Sequence, residues 1–109
     1  MIIEKELYKK YYPHGTGHWL GIDVHDQNPY LDESLNDITL AEGMVFTIEP
    51  GLYFPENDQN VPEEYRGIGI RIEDDIAITK DGYVNLTSSI PKTIQEIEEA
   101  CAKEVSLKL

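Results

Sequence analysis

The chain has 109 residues, 40% of them hydrophobic, and a formal net charge of −12. That size and composition fit one soluble domain with one modest core and argue against a disordered chain. The acidity argues against a nucleic-acid binder, which must bring positive charge to phosphate, and no apolar run approaches the roughly 18 residues of a membrane helix.

In chain order, residues 2–10 carry a loosely helical period in which Ile3, Leu7 and Lys10 share a face, so the end of a helix is predicted there, stopping before Pro13. It starts without a capping residue, the first sign that the natural chain begins earlier. Residues 14–26 hold Gly15, Gly17 and Gly21 and read as a loop in which backbone comes close to something. Residues 27–43 are mostly loop. Residues 44–54, MVFTIEPGLYF, read as a strand running into a Pro50–Gly51 turn and out again. Residues 55–67 are a polar, acidic surface loop. Residues 68–79, IGIRIEDDIAIT, are one alternating strand, with a bend or bulge where Asp74 falls on the isoleucine side. Asp81–Gly82 gives a turn, Tyr83–Leu86 a short strand, and Thr93 to about Lys103 a helix. In that helix Thr93 and Glu96 form a capping box, and Ile94, Ile97, Cys101 and Val105 form one apolar stripe.

Three constellations stand out. All three histidines, His14, His18 and His25, fall within twelve positions. His14 and His18 have the four-residue spacing of two zinc ligands on a helix. Gly-Thr-Gly lies between them and no glutamate follows His14, so the helical metalloprotease mechanism does not fit. The loop is either structural or a metal or catalytic site. Second, Glu49 ends an apolar strand before a rigid Pro–Gly step; it either points to solvent or is a partly desolvated carboxylate in need of a partner or a metal. Third, Ile68, Ile70 and Ile72 make one face of a strand, while Gly67, Gly69, Arg71 and Glu73 make the other. That second face is either a solvated ion-pair face or one with room for a ligand or another backbone. A histidine and two strand-end glutamates make a mixed N and O donor set suited to Mn2+, Co2+, Zn2+ or Fe2+.

HGTGHWLGIDVHD, FTIEPGLYF and GIGIRIEDDIAIT, in that order, resemble the second half of the catalytic domain of Xaa-Pro aminopeptidases and prolidases, of the creatinase/methionine-aminopeptidase superfamily. The resemblance covers about residues 5–100. It implies an α+β fold, the C-terminal half of a pita-bread domain, mainly antiparallel sheet with flanking helices. It implies hydrolysis of the peptide bond before proline by a hydroxide shared between two divalent metal ions, Mn2+ first, with Co2+, Zn2+ or Fe2+ as alternatives. His18, Glu49 and Glu73 would be metal ligands, Glu49 also taking the proton of the nucleophile and Glu73 bridging both ions. His25 would hold the scissile carbonyl, His14 and Arg71 would line the pocket on the proline side, and Tyr53 would also reach the site. The partner implied is a proline-containing peptide.

The family site also uses two aspartates upstream of the histidine loop, ten residues apart, and residues 1–13 contain no aspartate. Asp26 and Asp37 have ten residues between them but follow His18. Residues 1–109 are therefore expected to be a C-terminal half-domain lacking the first half and any N-terminal domain, binding one metal ion or none, and inactive alone. A half-domain leaves apolar surface bare, so a homo-oligomer or the missing half is expected to cover it. The alternative is a non-catalytic relic acting as a protein-interaction module. The single Cys101 and the absence of a basic-then-apolar leader in MIIEKELYKK give a cytoplasmic expectation.

Overall fold

The computed structural model describes residues 6–103. Its centre is a long antiparallel ribbon made of two chain segments. β1 (Val45–Ile48) and β2 (Gly51–Tyr53) lie along the first, β3 (Gly69–Arg71) and β4 (Asp74–Thr79) along the second. β1 pairs with β4 from Val45↔Ala77 to Ile48↔Asp74, and β2 with β3 from Gly51↔Arg71 to Tyr53↔Gly69. The register does not slip between the two halves, which sets Glu49 opposite Glu73 and Pro50 opposite Ile72. The Ile72 N–H still reaches the Pro50 carbonyl at 3.3 Å. Pro50 has no N–H to return the bond, and the ladder is interrupted there.

Two expectations are corrected by this ribbon. Pro50–Gly51 does not turn the chain back; β2 continues the direction of β1. Residues 68–79 are two strands, not one, parted at Ile72–Glu73, the step before the predicted bend at Asp74. β5 (Gly82–Asn85) adds to β4, giving a sheet of order β1-β4-β5 beside the two-stranded β2-β3.

The histidine segment is a loop, and its backbone comes close to β1 as its glycines lead one to expect. Residues 16–20 run antiparallel to β1 as an irregular edge segment: Leu20 N–H to Val45 O at 3.0 Å, Thr47 N–H to His18 O at 2.9 Å, Glu49 N–H to Thr16 O at 2.6 Å. Gly17 is required by closeness. A Cβ there would stand 1.8 Å from the Thr47 carbonyl oxygen.

At the N-terminal end the described residues hold a short 3-10 turn, Leu7–Lys10, preceded by Glu6 in the left-handed region at φ 51°, rather than an α-helix. Leu7 is exposed and Ile3 lies outside the described residues. α1 (Ile94–Ala102) forms where predicted, with both hydrogen bonds of the Thr93–Glu96 capping box. Its stripe is not packed: Ile94 and Ile97 are exposed, as is Cys101, while Val105 lies outside the described residues. The 55–67 segment is more than surface loop, since Asp58 and Val61 are buried and a 3-10 turn covers Glu63–Tyr65.

The core is small. Trp19, Val61 and Ile76 are the buried apolar side chains among the described residues. Leu52, Ile68, Ile70 and Ile72 are exposed on one face of the β2-β3 pair and line an apolar depression with Pro50 and Phe54. No described helix is long and apolar enough to cross a membrane.

Candidate metal centre

The break in the ribbon delivers two carboxylates to one place. In this ladder the even-numbered residues of β1 bond inward to β4, as Ile78 N–H to Met44 O shows at 2.8 Å. Glu49 and Glu73 therefore face each other at a non-hydrogen-bonded position, where cross-strand side chains lie closest. Like charges directly opposite repel. The cation supplied by the chain is Arg71, 3.5 Å from Glu49 through Nη1 and 3.2 Å from Glu73 through Nη2.

The edge segment brings His18 to the same spot. Its Nδ1 lies 2.9 Å from the Trp19 carbonyl oxygen. A carbonyl only accepts, so Nδ1 carries the hydrogen, which leaves Nε2 as the atom that can offer a lone pair. That atom stands 3.3 Å from Glu49 Oε1, with the two side chains only 17% and 13% exposed. Two acceptors at that distance need a proton or a cation between them. One donor atom each from His18, Glu49 and Glu73 lies within 4.8 Å of the others. An imidazole whose far nitrogen is fixed by a carbonyl, beside two carboxylates, is the chemistry that holds a divalent first-row ion. These residues fit a metal.

The other candidate residues gather around this triad. His25 is exposed, its ring 4.3 Å from that of His18 and tilted edge-on. His14 is held by other partners: Nδ1 donates to Gly15 O and Nε2 accepts from the Tyr53 hydroxyl, both at 2.8 Å. Gly51 and Gly69 make the room for Tyr53. A Cβ on Gly51 would lie 2.6 Å from its hydroxyl, and one on Gly69 3.0 Å from its ring. The space opposite the isoleucine face, read from sequence as room for a ligand or another backbone, is thus filled at Gly69 by the Tyr53 ring. Gly67 serves conformation instead, at φ 78°.

Sequence reasoning missed three contributors. Tyr12 packs edge-on against His14 at 4.9 Å and donates to Thr16 Oγ1 at 2.8 Å. Thr47 accepts from the His18 N–H at 3.0 Å and points at Glu49. Its place on the Glu49 side of β1 was the available signal. Asp74, the residue out of phase with its strand, accepts from Thr87 Oγ1 at 2.7 Å and from Lys92 Nζ at 3.0 Å. The Thr87 hydroxyl, then the Lys92 ammonium, hold its carboxyl below the usual range. This anchors β4 one residue after Glu73. At the far end Lys10, the Asn60 amide and the Tyr11 hydroxyl hold the buried Asp58 well below the usual carboxylate range. That tie joins the 55–67 segment to the chain leading into the histidine loop.

An imidazole and two carboxylates converging from an edge segment and a ladder break are the donor set of a metal-dependent hydrolase. Residues 1–80 match metallopeptidase family M24, and the chain belongs to that family. It is 54% identical over 98 residues to Xaa-Pro aminopeptidase 1 of Streptomyces coelicolor, covering 90% of this chain and 20% of that protein. Human Xaa-Pro aminopeptidase 3 is 48% identical over 95 residues, 87% of this chain and 18% of that one. Among solved structures, Pseudomonas aeruginosa aminopeptidase PepP superposes with a TM-score of 0.85 at 45% identity, over 90% of this chain and 22% of that one. Escherichia coli aminopeptidase P with the inhibitor Pro-Leu gives 0.81 at 49% identity, again over 90% and 22%. The small antiparallel sheets, with one α-helix among the described residues, are thus an α+β piece of the pita-bread domain. The chain spans about a fifth of the length of the curated relatives it matches.

Proposed function

We propose that this chain is the metal-binding C-terminal half of an Xaa-Pro peptidase, a proline-specific aminopeptidase in which His18, Glu49 and Glu73 supply three metal ligands and an upstream half supplies two aspartates. The convergence of one nitrogen and two carboxylate oxygens within 4.8 Å carries this reading. Two divalent ions, Mn2+ first, would lower the pKa of a shared water toward neutrality and polarise the scissile carbonyl. Glu49 takes the proton of the attacking water and returns it to the leaving nitrogen. His25, exposed beside His18, faces the carbonyl oxygen as charge develops on it. His14, held by Tyr53, and Arg71 line the side that receives proline. A cytosolic setting is supported by the lone, unpaired Cys101.

With three ligands the chain alone binds one ion and does not cleave. Titration calorimetry with Mn2+ and with Co2+, beside a Gly-Pro-Xaa cleavage assay of the 109-residue chain, tests both statements. The expected result is single-site binding without turnover. No binding at all would remove the metal reading, and efficient Mn2+-dependent cleavage would remove the half-site reading. The bare isoleucine face supports a second reading, an interaction module without catalysis. The retention of His14, His18, His25, Glu49, Arg71 and Glu73 together weighs against it.

A further inference from the structure

We infer that Thr47 is a positioning residue that fixes His18 against Glu49 before any metal arrives; the inference rests on the metal-site reading proposed above. Thr47 is 2% exposed, less than the core side chains Trp19, Val61 and Ile76. A hydroxyl at such a position costs desolvation unless it is used, and β1 would accept valine, with the same branched shape, equally well. The hydroxyl is spent on the two residues that flank the site. Its oxygen accepts the His18 N–H at 3.0 Å, doing for the edge segment what a ladder carbonyl ordinarily does. Its own hydrogen has Glu49 Oε1 as acceptor at 3.4 Å, a long contact whose value is direction more than strength.

The backbone repeats the tie. Thr47 N–H donates to His18 O at 2.9 Å, and the missing side chain of Gly17 lets the two segments close on the Thr47 carbonyl. One residue thus grips the His18 backbone on both its N–H and its C=O while facing the carboxylate that shares the ligand position. Side chains standing behind metal ligands typically change affinity 10- to 100-fold when removed.

The test is Thr47→Val and Thr47→Ser in the full chain, read in two ways. Metal-free amide exchange is expected to speed at His18 by at least about tenfold in Thr47→Val, with Leu20 N–H and Ile78 N–H, bonded elsewhere in the sheet, unchanged, and to recover in Thr47→Ser. Co2+ affinity is expected to fall about tenfold in Thr47→Val and to recover in Thr47→Ser. If Thr47→Val speeds exchange throughout the sheet, or lowers affinity without recovery in Thr47→Ser, the residue is only structural and the inference fails. Unchanged His18 exchange with unchanged affinity also overturns it. A parent chain that binds no Co2+ would remove the metal-site reading, while the exchange result would still decide whether Thr47 fixes His18.

Discussion

Glu49 and Glu73 are direct cross-strand partners, set opposite each other by a register that runs unbroken from Val45↔Ala77 to Tyr53↔Gly69. Two carboxylates in that relation weaken the ribbon they belong to and attract whatever cation can reach them. Arg71 reaches both and is itself half exposed, so it offsets the repulsion only in part.

A sign difference follows. Glu73→Gln removes one of the opposed charges, so the metal-free chain should be as stable as the parent or more so by a few tenths of a kcal/mol. Metal affinity should fall by more than about tenfold, since a ligand is lost. Thermal unfolding with and without Mn2+ reads both: the parent should be raised by Mn2+ and the variant should not.

Gly17→Ala should detach the edge segment. The added methyl would meet the Thr47 carbonyl, a backbone group with no freedom to move aside. Such overpacking typically costs about 1–3 kcal/mol, seen as a lower urea midpoint. Because His18 rides on this segment, Mn2+ binding should be lost along with it.

Acid should loosen the β4 end of the site through Asp74. Its folded carboxyl sits below the ordinary value because Thr87, then Lys92, stabilise the charged form. A lowered folded pKa means stabilisation that is complete above the unfolded value, about 3.9, and is lost as pH falls through the folded one. Urea midpoints from pH 7 down to 3 should therefore drop more steeply for the parent than for Asp74→Asn. The variant should be the less stable of the two at pH 7.

Catalysis should return when the upstream half is supplied. Co-expression of this chain with a segment carrying the two aspartates is expected to give Mn2+-dependent Xaa-Pro cleavage, and Ile70→Lys to abolish it. Ile70 is 60% exposed here, so the substitution should change the chain's own stability by less than about 0.5 kcal/mol. Equal rescue by the Ile70→Lys chain would show that this face is not where the other half sits.

Much of this was legible in the residues. The capping box of α1 is local chemistry between Thr93 and Glu96, and it forms as written. His18, Glu49 and Glu73 were each marked by sitting where an apolar or glycine-rich pattern is broken by a donor, and the fold brings them together. The misses share a cause. Whether Pro50–Gly51 reverses the chain and whether the Ile94 stripe is covered both depend on a distant partner segment. The Asp74 misfit was legible as a misfit, but its resolution by Thr87 and Lys92 lies 13 and 18 residues downstream.

The unslipped register also sorts the insertions and deletions this region could absorb. The span between the two halves of the ribbon, from Phe54 to Ile68, could grow or shrink by several residues without altering which side chains meet at the break. A single residue gained or lost between Thr47 and Glu49, or between Glu73 and Asp75, would swing one glutamate to the opposite face of the sheet. Length variation in natural relatives should therefore accumulate in the first span and be nearly forbidden in the other two.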